Sequence, residues 1–282
     1  MSIPVFKDIE KGPKDIIDED YDCKNVLKVK TPGPYGIHFT TASEHKLGKT
    51  AGAKGTVGGK ISLKYAPPSG GFSVDKFEVK PDGSMAIETS LVGVSPGLKL
   101  EFKGDDSYKG DLSMVYKTPL LSATAELDLV EFSKIKGSIT GVQKGVTGGA
   151  SVALDLPGKK DKVELSAFDV ALSYSLPNNI FAALKTSNKF GVFNFSLSHL
   201  YATNLSLASM ISMTPKGLST LTLGGLYKCN PATALKCKVN NHGVIACSVK
   251  QALENKASAT LAAEVCVSDS KSFKWGLTAQ LG

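Results

Sequence analysis

The chain has 282 residues, a formal net charge of +7 and an isoelectric point near 9.0. Its 28 glycines, 7% aromatic content and mean hydropathy of −0.01 suit one oily and one wet face better than a dense aromatic core. The cations are lysines scattered along the chain, with no arginine, which is a poor footprint for specific nucleic-acid binding. No window approaches the ~18 consecutive apolar residues of a transmembrane helix, and the N-terminus has neither a secretory pattern nor an arginine-rich presequence.

Residues 1–22 read as an amphipathic helix and its linker. Phe6, Ile9, Pro13, Ile16 and Ile17 make an apolar stripe at helical spacing, with Asp8, Lys11, Lys14, Asp15 and Asp18 facing away from it. Pro13 has no amide hydrogen to donate, so it predicts a kink, or two short pieces divided around Gly12-Pro13. Such a helix can lie against the inner wall of a barrel with its charges in the lumen. It can also sit on a membrane surface or on a partner.

Residues 23–282 show period-2 alternation in pieces separated by Gly, Pro, Asn and Asp. Tyr108, Leu112, Met114 and Tyr116 oppose Ser107, Lys109, Asp111, Ser113 and Lys117. Leu121, Ala123, Ala125, Leu127 and Leu129 then oppose Ser122, Thr124, Glu126 and Asp128. The final piece sets Phe273, Trp275, Leu277, Ala279 and Leu281 against Lys274, Thr278 and Gln280. Turn signals such as Pro67-Pro68-Ser69-Gly70-Gly71, Pro81-Asp82-Gly83, Gly104-Asp105-Asp106, Pro157-Gly158 and Pro177-Asn178-Asn179 punctuate the run. Segmentation gives about 19 strands of about ten residues, the length a tilted strand needs to cross a bilayer.

The fold class is therefore an all-β membrane barrel, closed, because in lipid only helices and closed barrels satisfy their backbone. A soluble sandwich or large closed β-protein shares the alternation. The few aromatics, and alternation that persists to the last residues, weigh against it.

Little in the chain suggests chemistry. The five cysteines (Cys23, Cys229, Cys237, Cys247, Cys266) form no CxxC pair or zinc spacing. They read as small apolar strand residues, with a disulfide or redox switch as the alternative. Gly145-Val146-Thr147-Gly148-Gly149 lacks the lysine of a phosphate loop. No Ser/His/Asp set or metal cluster stands out, so no enzyme, cofactor or metal is expected.

Several segments resemble the voltage-dependent anion channels, the porins of the mitochondrial outer membrane. Phe6 to Ile17, closed by Asp20-Tyr21, is similar to that family's N-terminal helix. Gly97-Leu98-Lys99 matches its Gly-Leu-Lys triplet at a strand start, and Leu226 to Pro231 with Lys238 to Asn241 its late strands. Lys274, Gly276, Ala279 and Leu281 fit the C-terminal sorting pattern of mitochondrial barrels.

The resemblance implies a voltage-gated, weakly anion-selective channel of the mitochondrial outer membrane, with its helix in the lumen. It would pass ATP, ADP, phosphate and small metabolites, its partners being those anions, the lipid bilayer and, in some settings, further copies of itself. It also implies gating roles for Asp8, Lys11, Lys14 and Asp15, and nucleotide contacts for Lys11, Val244, Ile245, Ala246, Ala262, Ala263 and Glu264. Asp75 would be the acid on the outer wall, since it alternates with Phe77 and Val79; a bulge that turns it inward is the alternative.

One departure stands out. Where the family often carries a Gly-Tyr-Gly hinge, this chain reads Asp18-Glu19-Asp20-Tyr21-Asp22. That argues against a freely moving helix and against strong anion selectivity at that end of the pore. Two rivals remain: the import-pore family, which shares the fold, and a soluble β-rich binding protein.

Overall fold

The structure is a computed structural model that describes residues 3–46, 56–68, 70–156 and 163–282. Ser69 and Pro157-Gly158, two of the expected turn signals, lie outside those residues. Among the described residues there are nineteen strands. The first seven are β1 (Asn25–Pro32), β2 (Ile37–Lys46), β3 (Thr56–Tyr65), β4 (Phe72–Val79), β5 (Met85–Val92), β6 (Leu98–Asp105) and β7 (Lys109–Lys117). Then come β8 (Leu121–Asp128), β9 (Lys134–Gln143), β10 (Val146–Asp155), β11 (Glu164–Leu176), β12 (Ile180–Ser187) and β13 (Val192–Ala202). The series ends with β14 (Leu205–Thr214), β15 (Gly217–Asn230), β16 (Thr233–Asn240), β17 (Val244–Ala252), β18 (Ser258–Cys266) and β19 (Asp269–Leu281).

Each strand pairs antiparallel with its chain neighbours, and β1 also pairs with β19, so the sheet closes on itself. With an odd number of strands the closing pair must run parallel, and it does: Val26 to Val29 face Thr278 to Leu281. No helix among the described residues is long and apolar enough to cross a membrane; the strands do the crossing.

The register sorts the side chains into two surfaces. Across β5, β6 and β7 one face carries Leu91, Leu100 and Met114, and the other Ser90, Glu101 and Ser113. The apolar set continues round the outside as exposed Phe77, Phe102, Leu112, Tyr116, Leu172, Phe195, Leu223, Ile245 and Trp275. A soluble protein buries such residues. Here they form the wall presented to acyl chains, and the large buried apolar side chains belong to the N-terminal segment.

Two strand ends differ from the expected segmentation. Gly104 and Asp105 still belong to β6, and the turn follows them, with Tyr108 at φ 56° rather than in β7. Tyr108 therefore leaves the alternating face on which its spacing placed it.

Candidate functional site: the lumen and its N-terminal belt

The N-terminal segment lies inside the barrel. A 3-10 turn at Phe6–Asp8 is followed by α1 (Lys11–Ile17). The expected division into two pieces is present, but it falls at Ile9-Glu10 and not around Gly12-Pro13. Pro13 is the third residue of α1, within the first turn, where a missing amide hydrogen breaks no helical bond.

The segment follows the inner wall round its circumference. Phe6 and Ile9 pack on Ala171 and over Gly149, and Gly12 passes Ser198. Ile16 and Ile17 sit on Ala208 beside Met210 and Leu226, with Gly224 beneath Ile17. Residues 23–24 then cross Gly276 so closely that a side chain there would strike the backbone of Cys23 and Lys24. Beneath the belt, the inner face of β10 to β19 offers many Gly, Ala and Ser positions, whose small size lets the belt lie flat.

The far end of the belt is clamped. The Lys236 ammonium donates to the Asp15 carbonyl at 2.7 Å and the Glu19 carbonyl at 3.3 Å, and meets the Asp20 carboxylate at 3.0 Å. The Asp15 carbonyl lies in the last turn of α1, where a cation is favoured, and that of Glu19 just beyond it. Lys250 reaches the other Asp20 oxygen at 2.9 Å. The Tyr21 hydroxyl donates to the Ile16 carbonyl at 3.1 Å, and Lys238 stands over the Tyr21 ring, 4.5 Å from its centroid. Burial alone would raise the Asp20 pKa, but its hydrogen bonds from Lys250 and Lys236 outweigh this and hold it below 3.8.

The opposite wall is charged. Glu78 is held by Lys60 and Lys76, both at 3.0 Å, and Lys136 pairs with Glu126 at 3.5 Å. Lys99, the lysine of the Gly97-Leu98-Lys99 triplet, meets Glu101 at 2.8 Å and Asp75 at 3.7 Å. Gly97 itself sits at φ +79°, against the Lys117 carbonyl, where a side chain would collide. Between this wall and the 3-10 turn lies a cavity of about 540 Å³ bordered by Lys7, Asp8, Lys99, Lys103, Lys117 and Lys136. Among the described residues Lys7, Lys103 and Lys117 make no ion pair.

Asp75 corrects the outward placement its alternation suggests. The β4–β5 register shifts between Val74 and Lys76, so Asp75 occupies a bulge. The extra residue turns its carboxylate inward to the Ser73 hydroxyl at 3.3 Å and to lumenal Lys99.

The other expected site residues scatter. Asp8 borders the cavity, Lys11 is exposed on α1, and Lys14 pairs with Glu10 at 3.2 Å. Asp15 contributes its carbonyl to the clamp. Of the wall positions, Ala246 and Ala262 are 1% and 2% exposed, too covered to touch a solute. Ile245 and Ala263 point outward, and Glu264 faces in and pairs with Lys274 at 3.1 Å, leaving Val244 as the other inward position. No continuous nucleotide surface joins these residues to Lys11. Lys274 and Gly276 of the C-terminal pattern face inward, Ala279 and Leu281 outward.

Lys236, Lys250 and Asp20 carry the tightest lumenal geometry, and their spacing gave no sign of it. Two signals for the belt were readable: inward positions are richer in Lys and Glu in the early strands and, charged residues such as Lys236, Lys250 and Glu264 apart, richer in Gly, Ala and Ser in the later ones. Glu10 is also buried at 1% exposure, on the helical face of Phe6, Ile9 and Pro13.

Comparison with known proteins agrees with this architecture. Residues 3–276 match the family described as Eukaryotic porin. The chain is 27% identical over 274 residues to a mitochondrial outer membrane protein, porin 5, of Oryza sativa subsp. japonica, covering 92% of this chain and 90% of that one. It is 20% identical over 262 residues to the non-selective voltage-gated ion channel 1 of Saccharomyces cerevisiae, covering 90% and 89%. Among solved structures, a triple mutant of Rhodopseudomonas blastica porin superposes with a TM-score of 0.52 at 9% identity, over 86% of this chain and 95% of that one, a likeness of fold alone. The closed barrel, its lumenal belt and the family match over nearly its whole length show that the chain belongs to the eukaryotic porins, channel-forming barrels of the mitochondrial outer membrane rather than enzymes.

Proposed function

We propose that the barrel is a voltage-gated, weakly anion-selective pore for nucleotides, phosphate and small organic anions. The observation that carries this reading is the cluster of Lys7, Lys103 and Lys117, which make no ion pair among the described residues, around the cavity beside the 3-10 turn; Glu101 and Glu126 there are engaged by Lys99 and Lys136, which leaves Asp8 alone against the three. The other lysines that border this cavity, Lys99 and Lys136, are tied to carboxylates, so these three set the sign of its potential. A wide aqueous lumen with loosely held positive charge concentrates anions without trapping them, as conduction requires. The acidic stretch after α1 offsets this less than its composition suggests, because Lys236 and Lys250 neutralise Asp20.

Voltage sensitivity would come from moving the charged belt or the wall beneath it across the field. The test is reconstitution in a planar bilayer under a salt gradient. The expected result is a large conductance that falls at both signs of voltage, with a reversal potential favouring chloride. The double variant Lys103→Glu/Lys117→Glu should move that preference to or past neutrality. A wild-type pore that prefers potassium would overturn the reading.

A further inference from the structure

Cys237 and Cys247 are opposed residues of β16 and β17, and their sulfurs lie 2.6 Å apart. Both are free and exposed. Their neighbours Lys236, Lys238, Ala246 and Ser248 face the lumen, so the two thiols point into the lipid. On that outer face they are flanked by Gly225 of β15 and Ala263 of β18. Nothing bulky screens them from an acyl chain.

We propose that this pair is a redox site, a cross-strand dithiol that a lipid hydroperoxide closes to a disulfide. In the first step one sulfur attacks the terminal peroxide oxygen. The O–O bond breaks, the lipid leaves as its alcohol after taking up the thiol proton, and the sulfur becomes a sulfenic acid. In the second step the other thiol attacks that sulfur, the S–O bond breaks, and the hydroxyl departs as water with the second thiol's proton. The two thiols lose two electrons in all, and the hydroperoxide gains them.

Two features favour this outcome over further oxidation. The partner thiol is held against the sulfenic sulfur by the strand register, so the second step is intramolecular and needs no diffusion. The oxidant dissolves in the phase the thiols face, whereas a water-borne peroxide must first leave water for that phase. Closure joins residues already linked by a short hairpin, so it gains less loop-closure stability than a long-range bridge would. The site would register oxidation of the surrounding lipid.

The experiment uses the full chain in phosphatidylcholine vesicles, with phosphatidylcholine hydroperoxide mixed into the bilayer or hydrogen peroxide in the water at equal dose. Free thiols are then alkylated and the digest is read by mass spectrometry. The expected result is a dithiothreitol-reversible link between the Cys237 and Cys247 peptides, formed faster with the lipid hydroperoxide, while Cys229 remains alkylated. Cys237→Ser should abolish the link and leave Cys247 to accumulate the sulfinic acid. Unlinked, fully alkylated Cys237 and Cys247 would overturn the proposal. So would links only between chains on a non-reducing gel, or equal or faster closure by aqueous peroxide.

Discussion

Asp20 has φ 71°, in the left-handed region that glycine occupies freely and that Asp and Asn enter more readily than most residues. The chain turns here without glycine and uses the same residue as the acid of the clamp. Asp20→Asn keeps the backbone preference and removes the charge, so it isolates the ion pairs. It should weaken belt docking by about 1–2 kcal/mol, roughly a five- to thirtyfold rise in the undocked population. Trypsin cleavage after Lys11 and Lys14 in micelles would report that rise. The pH response follows from the lowered Asp20 pKa. A depressed carboxylate contributes fully above its unfolded value of 3.8, and its contribution is lost as pH falls through the lower folded value. The cleavage rate of the wild-type chain should therefore stay flat from about pH 8 to about pH 5, because trypsin's own pH response is removed by normalising to an unfolded control peptide.

At the scale of elements, the belt and its floor fit each other by size. A Cβ on Gly224 would sit 3.2 Å from the Ile17 Cγ1 atom and 3.4 Å from the Cys237 carbonyl. Gly224→Leu fills the place of Ile17 and should lift α1 from β14 and β15, while leucine remains acceptable in a strand. Far-ultraviolet circular dichroism of the variant should match wild type, and the N-terminal lysines should become cleavable. Unchanged protection would show that the floor does not set the belt's position.

The strands were legible because alternation is imposed by the two environments of the wall, and it survives even in the last piece, Phe273 to Leu281. The apolar stripe of the helix was legible for the same reason. Three features were not. The break at Ile9-Glu10 depends on where the wall receives Phe6 and Ile9, which the periodicity of one segment does not contain. Asp75 was misplaced because a bulge adds one residue and inverts the face of its neighbour, with no glycine or proline to announce it. The clamp joins residues more than 200 positions apart, and only the closed barrel brings Lys236 to Asp15 and Asp20.

At the scale of the molecule, the seam differs from every other joint. It holds β1 to β19 by four facing residue pairs, whereas β1 and β2 face each other over eight. Parallel pairing is also slightly less stable per residue. In hydrogen exchange followed by mass spectrometry, peptides covering 26–29 and 278–281 should exchange about tenfold faster than those of β12 and β13. Equal protection would mean that the seam is not the weak joint.

The parallel seam also fixes when the barrel comes into existence. The first strand waits for a partner eighteen strands further along the chain, and until it arrives the sheet is open, with two unsatisfied edges that lipid does not tolerate. A chain cut before β19 therefore lacks the edge that closes β1 here. Completion is a single event, decided by the arrival of the final thirteen residues of strand.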